Sequence, residues 1–115
     1  MDRIPISFER RRYQRTEKAL RVTWKDQEIH CTGFTKDICI GGLFIVTNFP
    51  VHPKDSIQLE LTLNGSNVVV RCKGQVIWVN QGQVESFPAG FGVEILDMDS
   101  SSVESFLACC DEREG

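Results

Sequence analysis

Two short segments carry residue types suited to gripping a phosphorylated guanine base. One is Arg10-Arg11-Arg12-Tyr13-Gln14-Arg15 and the other is Asp37-Ile38-Cys39-Ile40-Gly41-Gly42. A guanidinium is planar and permanently charged. It donates two parallel hydrogen bonds to a phosphate or to the O6/N7 edge of guanine, and its face stacks on a base. A carboxylate such as Asp37 accepts from the N–H groups on guanine's other edge. A glycine beside it lets the backbone come close to a ligand. Arginines on a loose arm, with Asp and Gly at a strand end, are therefore suited to enclosing a guanine nucleotide. Each segment also has a plainer reading. Four arginines in six residues form a solvated arm, and Asp37 makes an Asx turn ahead of Gly41-Gly42.

The charge distribution sharpens the contrast between the two segments. The chain has 115 residues and a net charge of −3. Residues 1–25 hold eight basic and three acidic side chains, whereas the remaining ninety hold five basic and thirteen acidic ones. A basic arm is thus joined to an acidic body. The arm attracts a small anion, while the body repels long polyanions, which argues against polymeric nucleic acid as a partner.

The elements that must position these residues are mostly strands. Residues 1–18 show neither helical nor strand periodicity, and with Pro5 and the arginines they read as a flexible basic N-terminal arm. Residues 19–115 read as one domain. Leu20, Val22 and Trp24 alternate with Arg21, Thr23 and Lys25, and a turn follows at Asp26-Gln27. Ile29 to Ile38 and Leu43 to Thr47 are further extended runs. Ile57, Leu59, Leu61 and Leu63 alternate with polar residues, and Asn64-Gly65 is a strong hairpin signal. Val68, Val70, Cys72, Val76 and Trp78 form the expected inward row of a long strand, interrupted at Gly74, which marks a bulge or bend. After a loop from Asn80 to Pro88, Phe91, Val93 and Ile95 form the last strand.

The tail changes period. Ser101 and Glu104 fit a capping box, and Val103, Phe106, Leu107 and Cys110 fall on one stripe of a short helix, with Cys110 expected in the core and Cys109 beside it. About six strands and a terminal helix predict an all-β antiparallel barrel or sandwich.

Several chemistries are excluded at this level. The five cysteines form no CxxC spacing, so reduced thiols are expected rather than a disulfide framework or a zinc site. His30 and His52 belong to no metal-ligand constellation. No Ser-His-Asp arrangement, carboxylate pair or phosphate loop is visible, so no enzyme activity, catalytic residue or cofactor is expected. The longest apolar run, Ile38 to Val46, has nine residues, too few to span a membrane. The basic N-terminus lacks the apolar stretch of an export signal, so a cytoplasmic location without membrane insertion is expected.

The order of the motifs resembles a known family. Residues 10–15 match the RRxxxR motif of PilZ domains. Residues 37–42 match their DxSxxG motif at every fixed position but one. The segments GLFI after Gly41, GQVIWV (Gly74–Val79) and GFGVEIL (Gly90–Leu96) are also similar, so the resemblance covers roughly residues 8–110. It implies a six-stranded antiparallel PilZ-type β-barrel that binds cyclic di-GMP, a bacterial second messenger with two guanines and two phosphates.

Carried over residue by residue, the resemblance gives Arg10, Arg11 and Arg15 to phosphates and guanine edges. It gives Asp37 to a guanine and Gly42 to the close approach. Cys39 stands where the family has serine. A thiol is a larger and weaker donor than a hydroxyl, so weakened rather than abolished binding is expected. The implied mechanism is ordering of the arm by ligand, which signals to a protein partner that the sequence does not identify. The alternative is a PilZ-like adaptor that binds proteins of type IV pilus or motility machinery without the nucleotide. A small nucleic-acid-binding barrel is a third reading, disfavoured by the acidic body.

Overall fold

Apolar alternation produces a closed cylinder of strands. The structure, a computed structural model, describes residues 3–5, 16–26, 28–63, 67–82 and 87–111. Eight strands and one helix follow in order: β1 (Arg3–Pro5), β2 (Thr16–Glu17), β3 (Arg21–Asp26), β4 (Ile29–Cys39), β5 (Gly42–Val46), β6 (Ser56–Thr62), β7 (Val69–Asn80), β8 (Gly90–Asp99) and α1 (Ser100–Asp111). Each of β3 to β8 pairs antiparallel with two others of these six. The circuit β3-β4-β5-β8-β7-β6 returns to β3 and closes a six-stranded barrel.

Two short strands come from the segment expected to be a loose arm. Arg3–Pro5 pairs with Asp97–Asp99 of β8, and Thr16–Glu17 pairs with Asp37–Ile38 of β4. Strands of three and two residues are too short to show a period, which is why the sequence pattern does not reveal them. The expected turns at Asp26-Gln27 and Asn64-Gly65 fall partly or wholly outside the described residues.

The inward faces supply the core. Leu20, Val22, Trp24, Leu59, Leu61, Val70, Cys72, Val76, Phe91, Val93 and Ile95 are buried in a single apolar cluster, joined by Phe106 of α1. Fully burying an aliphatic or aromatic side chain of this kind contributes about 1.5–3 kcal/mol. Gly74 lies in this inward row at a register shift, and a Cβ there would run into Val93 Cγ1.

Four expectations about the core are corrected. Trp78 and Val68 are exposed rather than inward. Val76 pairs with Val93, but Trp78 pairs with Gly92, so Ile77 is an extra residue in β7. One extra residue reverses the side-chain parity, turning Trp78 out and directing Val79 towards the core. Val68 precedes the start of β7. In α1, Cys109 is the core thiol and Cys110 is only partly buried, while Leu107 faces outward. The helix continues directly from β8, and this junction turns its buried stripe to Ser102, Phe106 and Cys109.

Candidate functional site

The DxCxxG segment forms the end of β4, a two-residue turn and the start of β5. Cys39 pairs with Gly42 to close the hairpin, and the Gly41 carbonyl in the turn accepts from Ile95 N–H of β8 at 2.9 Å. A register shift precedes it. Thr35 pairs with Ile45 and Asp37 pairs with Phe44, so Lys36 is the inserted residue. This insertion sets the parity of everything after it. Ile38 then points into the core, and Asp37 lies on the outer face opposite Phe44.

Successive pairings extend that outer row across the sheet. Glu17 pairs with Asp37, Asp37 with Phe44, Phe44 with Gly92, and Gly92 with Trp78. Directly paired residues place their side chains on the same face. Three steps of about 4.8 Å separate the Asp37 backbone from that of Trp78, or about 14 Å.

Gly92 offers no side chain in the middle of this row. The Phe44 and Trp78 rings approach across it, with centroids 5.5 Å apart. Phe87 completes an aromatic patch, 4.7 Å from Phe44 and 5.3 Å from Trp78. Phe44 is buried beneath its neighbours, and Trp78 remains 43% exposed. Asn80 holds the segment that carries Phe87, because its Nδ2 donates to the carbonyls of Phe87 and Pro88.

Lys36 bridges the acidic and aromatic ends. Its Nζ lies 3.8 Å from Glu17 Oε1, 3.9 Å from Asp37 Oδ2 and 5.0 Å from the Phe87 ring centroid. The row thus presents a carboxylate, a cation and π-faces together. A carboxylate accepts the donors of a purine edge, a cation balances phosphate, and an exposed indole stacks on a base.

The root of the arm is fixed beside this row. Thr16 pairs with Ile38, and Lys18 N–H donates to the Lys36 carbonyl at 3.2 Å. The Thr35 hydroxyl fills the gap between β2 and β3. It accepts from Leu20 N–H at 2.8 Å and donates to the Lys18 carbonyl at 2.5 Å. A hydroxyl suits this gap because it satisfies one donor and one acceptor at once.

Among the residues singled out from sequence, Asp37, Cys39 and Gly42 share the β4–β5 hairpin. Cys39 is 0% exposed, and it is not among the residues of the central apolar cluster. Arg10, Arg11 and Arg15 lie outside the described residues. Arg15 is peptide-bonded to Thr16, which is paired to the residue next to Asp37. Sequence reasoning missed Lys36, Thr35, Phe44 and Phe87. The sole signal for them was the aromatic content of GLFI and the loop, since the Lys36 insertion leaves no mark in a period-two pattern.

Among the described residues, no group of three or more His, Cys, Asp or Glu side chains is arranged to hold a metal. Also among them, no helix is long and apolar enough to cross a membrane.

Comparison with known proteins agrees with this architecture. The family model for the PilZ domain matches residues 9–112. The structure of the Bacillus subtilis inhibitor of motility, MotI/DgrA, superposes with a TM-score of 0.74 at 18% identity, over 90% of this chain and 50% of that one. The chain therefore spans about half the length of that neighbour, and the likeness is one of fold. No curated protein matches the sequence.

Proposed function

The chain belongs to the PilZ domain family, and on that premise we propose that it is a cyclic di-GMP receptor that signals to a protein partner. PilZ domains are binding and adaptor domains rather than catalysts. In this reading Arg10, Arg11 and Arg15 engage the phosphates and guanine edges, and Asp37 accepts from a guanine. Gly42 permits the close approach, and Trp78 offers a stacking face.

One observation carries the reading. β2 pairs Thr16 with Ile38 and Glu17 with Asp37, so the residue that directly follows the arginine motif and the aspartate of the second motif lie on adjacent strands. A dinucleotide with two phosphates and two guanines has the chemistry to bridge them. Binding neutralises arm charge and fixes its path, creating a surface for a partner. The ordering entropy of the arm lowers the net affinity.

Isothermal titration calorimetry of the full chain with cyclic di-GMP is the test. Saturable heat that weakens as salt rises is expected, because phosphate contacts contribute. Absence of heat at tens of micromolar protein, in both the native chain and Cys39→Ser, overturns the reading.

A second reading is a protein adaptor that works without the nucleotide. The fully buried thiol of Cys39, where the family has serine, favours it. The neighbour MotI/DgrA is an inhibitor of motility, which makes motility machinery the class of partner to test. Capture of such a partner that cyclic di-GMP does not alter would support this reading over the first.

A further inference from the structure

We propose that the C-terminal end of α1 positions the ligand-binding arm through Thr16, so that capture of ligand by the arm is felt at the end of the helix. The inference rests on the cyclic di-GMP reading above and extends it to the regulation of that site. An α-helix leaves its last four carbonyls without intrahelical donors, and the last turn of α1 has no basic side chain of its own. Donors arrive instead from the root of the arm. The Thr16 hydroxyl donates to the Cys110 carbonyl at 2.8 Å. Lys18 Nζ donates to the Cys109 carbonyl at 3.5 Å and lies 3.7 Å from Cys109 Sγ. An ammonium at this end also meets the negative pole of the helix.

The rest of α1 is held independently of the arm. Phe106 and Cys109 are buried in the barrel core. Ser102 Oγ accepts from Arg71 N–H of β7 at 3.1 Å, and the helix continues from β8. The last turn therefore extends from a helix packed on the barrel, and Thr16 is the first residue after the arginine motif. Thr16 has two anchors: its backbone is paired to Ile38 of β4, and its side chain is bonded to α1. The second anchor ties the residue that follows the arginine motif to the helix as well as to the sheet. Coupling between sites is reciprocal. If the helix end restrains the arm for binding, bound ligand restrains the helix end by the same factor.

Amide hydrogen exchange and calorimetry on the full chain test this, comparing the native protein with Thr16→Val and Thr16→Ser. Cyclic di-GMP should slow exchange in the peptide covering residues 103–110 of the native chain and of Thr16→Ser. Thr16→Val should bind about three- to tenfold more weakly and lose that protection, with unchanged exchange in β6 and β7 reporting an intact barrel. It should also speed exchange of the last turn without ligand. Binding heat with no change in the α1 peptide, or a Thr16→Val chain indistinguishable from native in both measurements, overturns the coupling alone. No heat from the native chain overturns the receptor reading and ligand control of α1 with it. Unchanged last-turn exchange in ligand-free Thr16→Val separately refutes the capping.

Discussion

Thr35 satisfies both backbone polar groups of Leu20. Its N–H donates to the Leu20 carbonyl at 2.9 Å, and its hydroxyl accepts from the Leu20 N–H at 2.8 Å. The same hydroxyl reaches Lys18, so one side chain joins the arm root to the barrel wall just ahead of the Lys36 insertion. Both residues are buried. Thr35→Val keeps the shape but leaves a buried donor without its partner. A loss of about 1–3 kcal/mol is expected, read as a lower urea midpoint with an unchanged slope. An unaltered midpoint would mean that water or a backbone shift replaces the hydroxyl.

Asp37 and Arg15 are expected to carry the ligand. Asp37→Ala and Arg15→Ala should each weaken cyclic di-GMP binding about ten- to 150-fold, the range for hydrogen bonds to charged groups. Lys36 keeps Glu17 as a partner when Asp37 is removed, so the barrel should stay folded by circular dichroism. Native affinity in either variant would place the site elsewhere.

Trp78 gives an optical readout. The chain has two tryptophans. Trp24 is buried against Phe91, with ring centroids 5.3 Å apart, and Trp78 is on the outer patch. Ligand should therefore change the emission of Trp78 and leave that of Trp24 nearly constant. Trp78→Ala should abolish the change and lower affinity by about 1–3 kcal/mol, the contribution of one stacked base. A titration signal that survives in Trp78→Ala would exclude stacking at this patch.

Cys39→Ser restores the residue that the family motif carries. A hydroxyl is a much stronger donor than a thiol. Calorimetry should show binding about three- to tenfold tighter. Equal or weaker binding would mean that the buried Cys39 side chain is valued for its apolar fit and not for its donor.

The legible parts of this molecule are those where a strand keeps strict alternation. Leu59 and Leu61 are buried as their spacing predicts, and so are Phe91, Val93 and Ile95, because each run has one face on the core. The misreading of Trp78 begins at a single-residue insertion, Ile77, which reverses its face, and a second insertion, at Lys36, sets Asp37 on the outer face. An insertion is fixed by the partner strand, which lies far away in sequence, so local periodicity contains no trace of it. The motif residues were legible by type. Their aromatic and cationic neighbours Phe44, Phe87 and Lys36 were not, because only the cross-strand register assembles them.

Closure of the barrel through β7 and β8 has a consequence for how partners are met. Each of the six wall strands already has a wall neighbour on both flanks, and the stretches that take a further strand, Asp37–Ile38 of β4 and Asp97–Asp99 of β8, are occupied by β2 and β1. A peptide that enlists by strand pairing at either stretch must therefore displace a segment of the chain itself, which leaves protruding side chains as the readier means of recognition.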